Sequence, residues 1–101
     1  MRSLLALLML SLPALAEVGP ERAEKLEHIL IQDCGSCHGL TMKGGLGSPL
    51  TPEALDHADA PGLAAIILDG VAGTAMPRWR PVLSEEDALW IANHLKEGGT
   101  R

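Results

Sequence analysis

An all-α fold of about four short helices is predicted from three observations. Apolar residues recur at spacings of three and four along several stretches, each opened by a helix-starting signal. No run alternates well enough to make a strand. The intervening segments are rich in glycine and proline, which favour loops. At 101 residues the chain has room for one domain, and it contains no internal repeat.

The beginning of the chain stands outside that domain. Met1 and Arg2 form a basic start, an apolar run spans Leu4 to Leu12, Pro13 breaks it, and Ala14-Leu15-Ala16 supplies a cleavage site before Glu17. Residues 1–16 are therefore expected to be a secretory signal peptide and 17–101 the mature domain. A retained membrane anchor is the alternative, but about nine apolar residues fall short of the roughly 20 that a spanning helix needs. The mature protein is expected to be soluble and periplasmic, a monomer, and not inserted in the membrane.

The first helix is expected over 20–33. Pro20 suits its first turn, Glu21 and Glu24 its N-terminal end, and Ala23, Leu26, Ile29 and Leu30 fall on one face. Cys34-Gly35-Ser36-Cys37-His38-Gly39 follows directly, then a glycine-rich loop from Lys43 to Pro49. Thr51 and Pro52 predict a short helix over 52–58, and a further one runs from Pro61 to Asp69, ending at Gly70. Val71–Leu83 contains Gly73, Pro77 and Pro81 and is expected to be irregular. Ser84 caps a last helix with Glu85, Glu86 and Asp87 in its first turn and Ala88, Ile91, Ala92 and Leu95 as its apolar stripe; Gly98-Gly99 ends it. The acidic first turn reads as a set of favourable helix-dipole partners.

Composition narrows the function. Losing Arg2 with the leader takes the formal charge from −5 to about −6, a poor match for nucleic acid, whose phosphates demand a basic footprint. Overall acidity favours partners with a positive docking patch. The chain has no Phe, no Tyr and only two Trp, so a domain this small lacks the large flat side chains that fill a core. A bound apolar group would supply the missing volume.

Cys34-x-x-Cys37-His38 is the strongest chemical signal. Its thiols can add across the two vinyl groups of one haem, and the adjacent histidine is then placed to ligate iron. A disulfide between the two would close too small a loop to brace a fold. A thioredoxin-like site would need a βαβ framework, and a zinc site would need a fourth ligand such as the remote His57 or His94. The expected cofactor is one covalent haem c.

The candidates for the second axial ligand are Met42, Met76, His28, His57 and His94. Met42 is too close to His38 to reach the opposite face of a ring, His28 is expected to face solvent, and His94 lies beside the apolar stripe. His57 remains an alternative. Met76 lies 38 residues after His38, in Gly73-Thr74-Ala75-Met76-Pro77, where a thioether can swing over the distal face. A methionine is often only a core filler, yet a Met-Pro in a loop is badly placed for that. Beside it, Trp79 could pack on the haem or hydrogen-bond a propionate. Arg78 and Arg80 could each pair with a propionate or be plain solvated charges.

Cys34 to His38, then Gly47-Ser48-Pro49-Leu50, then Met76-Pro77 before a Ser-capped terminal helix resembles a class I cytochrome c across the mature chain. The Gly-Thr-Ala-Met-Pro-Arg-Trp loop and the Leu83-Ser84-Glu85-Glu86-Asp87-Ala88 helix start are similar to the small cytochromes associated with dissimilatory haem-cd nitrite reductases. The resemblance implies that the Pro49 carbonyl accepts the second ring N–H of His38. It also implies that the first and last helices cross behind the haem; Trp90 against Ala23 or Leu26 could make that contact, or Trp90 could be a simple core residue. The scarcity of aromatics departs from the family.

With His38 and Met76 on the iron, no position is open to substrate, so the expected role is single-electron transfer and not catalysis. The partners implied by the resemblance are a nitrite reductase of denitrification or an enzyme that matures its haem d. The alternative is a haem-based sensor or assembly factor with a labile sixth ligand. Peroxidase chemistry lacks a distal base.

Overall fold

The computed structural model describes residues 18–99, so the expected leader lies outside the described residues. The elements are α1 (Pro20–Ile29), one π-helical turn (Leu30–Cys34), α2 (Gly35–His38), α3 (Ala60–Asp69) and α4 (Glu85–Lys96). The chain is helical, as expected, and among the described residues no helix is long and apolar enough to cross a membrane.

Pro20 starts α1, and its backbone continues without a break through Leu30 (φ −59°, ψ −46°). The expected helix over 20–33 thus runs on to His38. Within it, the Gly35 N–H bonds to Leu30 O, five residues back, which makes the π turn. Such single-turn insertions often sit at functional positions. Leu26 and Leu30 are fully buried on one face of this helix.

The segment 52–58 corrects an expectation. Thr51 does cap it, its Oγ1 accepting the Ala54 N–H at 3.3 Å, but residues 52–57 are turns and not a helix. The reason is tertiary. Lys96 at the end of α4 donates its ammonium to Leu55 O at 3.0 Å and to Ala58 O. Leu55 O also accepts the Ala58 N–H at 3.1 Å, a tight-turn bond and not the next rung of an α ladder, and buried Leu55 anchors the turn.

α3 begins where Asp59 Oδ1 accepts the Gly62 N–H at 2.7 Å. It ends at Gly70, whose φ of 68° favours glycine. α4 opens with a complete capping box: Ser84 Oγ accepts the Asp87 N–H and Asp87 Oδ2 accepts the Ser84 N–H, both at 3.0 Å.

Asp87 does more than its sequence position suggested. It is 6% exposed and takes a two-pronged bond from Arg22 of α1, Nε to Oδ1 at 3.1 Å and Nη2 to Oδ2 at 2.8 Å. One carboxylate therefore caps α4 and ties it to α1. His94 of α4 brings its Nε2 to 3.8 Å from Glu27 Oε1 of α1, beyond hydrogen-bond distance, and that nitrogen is buried without a hydrogen-bond partner among the described residues.

The core is aliphatic. Leu26, Leu30, Leu55, Ala64, Ile67, Leu68, Leu83, Ala88, Ile91, Ala92 and Leu95 are buried together with Met42, and Trp79 and Trp90 pack at its margin. Ala88 and Ala92 are fully buried, so the side of α4 turned inward carries small residues. The first and last helices are in contact, and Leu26 of α1 is fully buried. Trp90 stacks on His94, ring centroids 4.5 Å apart and planes at 16°.

The Asp87 bonds have a measurable consequence. Asp87→Ala should lower the unfolding free energy at neutral pH by about 2–3 kcal/mol: ~1 for the cap and the rest for the pair, discounted because Arg22 keeps 39% of its side chain in water. The Arg22 guanidinium holds the Asp87 carboxyl below the usual carboxylate range. Its contribution is therefore complete above the unfolded-state value of about 3.9 and is lost as pH falls through the lower folded value. Urea unfolding at a series of pH values should show wild type and Asp87→Ala converging below about pH 4.

Candidate functional site

The end of the first helix presents the Cys-x-x-Cys-His segment. Cys34 closes the π turn, half-buried against the core beside Leu30, while Cys37 is exposed one turn on. The thiols are not joined in a disulfide. Burial, and then the neighbouring charge of Asp33, pushes the Cys34 thiol up to about 11, so it is protonated and uncharged at neutral pH. Its burial suits it to bonding with an apolar partner and not to thiolate chemistry.

The chain after His38 folds back over the helix end it has just left. Gly39 N–H bonds to Gly35 O at 2.9 Å, Gly47 N–H to Cys37 O at 2.7 Å and Gly44 N–H to His38 O at 2.8 Å. Leu50 N–H closes the loop on Met42 O at 2.8 Å. Met42 has a φ of 60°, rare for a side chain of its size, and is 1% exposed. Burial holds it in that conformation and makes it a core residue, not a ligand.

This loop fixes the imidazole. His38 Nδ1 lies 2.7 Å from Ser48 O. A carbonyl only accepts, so Nδ1 carries the proton and Nε2 keeps its lone pair. The acceptor is one residue earlier than the resemblance implied: Ser48, not Pro49. The shift follows from Gly47, whose N–H is committed to Cys37 O, so the next carbonyl along faces the ring. Gly47 is also the residue that admits the ring, since a Cβ there would stand 2.7 Å from Nδ1. Pro49 instead lies over Gly44, its Cγ 3.2 Å from where a Cβ on Gly44 would be.

Met76 and Trp79 are carried by the second loop, which is bound to the end of α3. Gly70 N–H bonds to Ile66 O at 2.8 Å, Trp79 N–H to Ile67 O at 3.2 Å and Arg80 N–H to Leu68 O at 3.0 Å. The excursion between them is held by Thr74, whose hydroxyl donates to Val71 O at 2.8 Å and accepts the Met76 N–H at 3.2 Å. A Cβ on Gly70 would come within 2.7 Å of Met76 O, so this glycine permits the return of the chain. Met76 and Trp79 are both half-buried.

The remaining candidates separate. His28 and His57 are exposed, and His94 is held by Trp90 at the α1–α4 contact. Arg80 is taken by Asp69 in a two-pronged bond at 2.8 and 3.0 Å, whereas Arg78 is exposed. Among the described residues no group of three or more His, Cys, Asp and Glu side chains comes together as a metal site, which gives the zinc alternative no support. The sequence reading missed Ser48 and Gly47 as ring-positioning residues, although the Gly45-x-Gly47 spacing signals a tight approach.

Residues 21–95 match the family described as cytochrome C oxidase, cbb3-type, subunit III. Cytochrome c55X of Paracoccus denitrificans is 54% identical over 94 residues, covering 90% of this chain and 91% of that protein. The chain belongs to the c-type cytochrome family. Cytochrome c55X of Pseudomonas aeruginosa is 51% identical over 89 residues, 86% of this chain and 75% of that one. The solved c-type cytochrome NirC superposes with a TM-score of 0.77 at 49% identity, covering 79% of this chain and 94% of that chain. The structure described as dihydro-heme d1 dehydrogenase NirN in complex with DHE matches at a TM-score of 0.65 and 30% identity, over 69% of this chain and 15% of that much longer one.

As in its family, the cytochrome carries a covalently bound haem c and serves electron transfer. The donor set fits that group: two free thiols three residues apart and an imidazole whose one nitrogen is committed to a carbonyl. Gly47→Ala should push the ring off Ser48 O. In the reduced, haem-loaded protein the His38 Nδ1 proton should then exchange with solvent at least about tenfold faster, the loss of one hydrogen bond of ~1.4 kcal/mol, as read by proton NMR.

Proposed function

We propose that this cytochrome is a periplasmic carrier of single electrons, with haem joined to Cys34 and Cys37 and its iron held between His38 and Met76. The observation that carries the reading is the His38 Nδ1–H bond to Ser48 O, which leaves Nε2 as a ready ligand beside two free thiols. When bound, haem iron supplies a one-electron couple, and methionine ligation favours its ferrous state.

The chain's own residues do the rest. Ser48 holds the imidazole in one tautomer and strengthens it as a ligand. Cys34, half-buried, and Cys37, at the surface, give one sheltered and one exposed attachment point. The Met76 loop, tied at both ends to α3, returns a thioether from a fixed base, and Trp79 beside it supplies apolar cover. With both axial positions filled by side chains, substrate has no place to bind, and docking through a weak, short-lived interface suffices.

The partner we propose is a haem-cd nitrite reductase or an enzyme that matures its haem d. The likeness to NirC and to a segment of a dihydro-heme d1 dehydrogenase supports this. Mixing the reduced protein with each enzyme in a stopped-flow instrument should show electron exchange with at least one of them at turnover-relevant rates; exchange with neither removes the partner assignment.

A visible spectrum tests the ligation. The oxidised protein should show a weak far-red sulfur-to-iron band that Met76→Ala abolishes while the c-type bands persist. A c-type spectrum that lacks the band and is unchanged by the substitution would pass the role to His57 or elsewhere. A second reading, a ligand sensor with a labile Met76, draws on the exposure of residues 71–75. Carbon monoxide decides between them: a carrier in reduced form binds little at neutral pH, and a sensor binds readily.

A further inference from the structure

Asp69 is out of place by the rules of its own helix. It is the last residue of α3, where a helix end carries partial negative charge and favours a cation. The helix has no basic residue in its last turn to offset it. Its partner comes from beyond the second loop. Arg80 donates Nε to Asp69 Oδ1 at 2.8 Å and Nη2 to Oδ2 at 3.0 Å, and its Nη1 stands 3.8 Å from Glu85 Oε1 at the start of α4. The Arg80 guanidinium, aided by the charge of Arg78, holds the Asp69 carboxyl below the usual carboxylate range, so the pair is ionised at neutral pH.

The partners of this pair stand at the two ends of the Met76 excursion. Asp69 precedes Gly70, where the chain leaves α3, and Arg80 is where it returns, its own N–H on Leu68 O at 3.0 Å. From Trp79 onward the returning limb is stiff. Trp79 O accepts both the Val82 and the Leu83 N–H, at 3.0 and 2.9 Å, and Pro81 fixes the backbone beside Arg80. Between Val71 and Arg78 the hydrogen bonds among the described residues stay within the loop: Val71 N–H to Met76 O, and Thr74 to Val71 O and to the Met76 N–H. Polar contact therefore ties this segment to the domain only at its base, through the N–H groups of Gly70, Trp79 and Arg80 and the Arg80–Asp69 pair.

We propose that Arg80 is a positioning residue for the sixth ligand: paired with Asp69, it clasps the two ends of the excursion together and slows the departure of Met76. The inference rests on the Met76 ligation proposed above. It also takes Arg80 out of the set of propionate partners, because its guanidinium is committed to Asp69 and Glu85. An exposed ion pair adds little to the stability of a whole domain. It weighs more on a local opening, whose free energy is only a fraction of the global one. Loss of Met76 needs only the excursion to swing out, so the clasp acts on resistance to foreign ligands and not on the fold. A carrier and a sensor with the same side chains at the iron then differ in how firmly the base of this loop is held.

The test follows displacement of Met76 by imidazole in the oxidised, haem-loaded protein at about pH 8, where imidazole is uncharged and is not steered by the protein's field. One iron–sulfur bond is exchanged for one iron–nitrogen bond with no change of oxidation state, and the far-red band is lost. With imidazole in excess, the rate levels off at that of loop opening. Asp69→Asn and Arg80→Gln should each raise this limit about threefold, and their combination no further. Exchanging the charges, Asp69→Arg with Arg80→Asp, should bring it back towards the wild-type value. Raising ionic strength from about 10 to about 500 mM should speed the wild type by a similar factor and leave Asp69→Asn unchanged. Urea midpoints measured beside these rates should shift little. If the limit moves in neither single variant, or in Arg80→Gln alone as a propionate partner would require, the clasp is wrong. It is equally wrong if the urea midpoints fall while the limit stays, since the pair is then only a surface brace. A wild type without the far-red band removes the ligation and the clasp with it, whereas a band with unresponsive rates removes the clasp alone.

Discussion

A helix leaves its last four carbonyls without partners inside the helix, and in this cytochrome two loops supply them. The carbonyls of Gly35, Cys37 and His38 receive the N–H groups of Gly39, Gly47 and Gly44; those of Ile66, Ile67 and Leu68 receive Gly70, Trp79 and Arg80. Each loop is thus bonded at its base to a helix end, and each returns a side chain of the site. Without these bonds Ser48 would not meet His38, and Met76 would hang from an untethered segment. The glycines that make the returns possible sit where another residue would strike backbone or ring, Gly47 against His38 and Gly70 against Met76 O.

The helices themselves are held by a sparse set of contacts. With no aromatic ring in the fully buried core, packing relies on leucine, isoleucine, alanine and Met42, and the α1–α4 contact is reinforced by the Arg22–Asp87 ion pair. Asp87 is the buried charge at that contact, fully engaged by Arg22 and by its own cap. This matters for function because α1 leads straight into the cysteines. Any looseness between α1 and α4 would be passed along one continuous helix to the attachment site.

Much of this was legible in the sequence where the determinants are local. Ser84 before Glu85, Pro61 in the first turn, and Gly70 after Asp69 announce helix ends within a residue or so, because capping chemistry acts over three or four positions. The Cys34–His38 spacing announced its chemistry for the same reason. What was illegible is what distance controls. Lys96 reaches Leu55 O in the 52–58 turn from 41 residues off, and Arg22 finds Asp87 across 65. The shift of acceptor from Pro49 to Ser48 is smaller in scale but similar in kind: the register of a glycine loop is set by what it bonds to, and Gly47 bonds to Cys37. The extension of the first helix to His38 was hidden because a single π turn leaves almost no trace in apolar periodicity.

That π turn acts as a phase setting. An α-helix advances about 100° per residue, and the bond from Gly35 to Leu30 inserts one residue more than a regular helix would hold between its buried face and its cysteines. Without the wide turn to absorb it, that extra residue would rotate the entire attachment segment by roughly that angle around the axis, away from the loop that now meets it. The wide turn thus lets the helix carry one residue more and still present its cysteines to that loop.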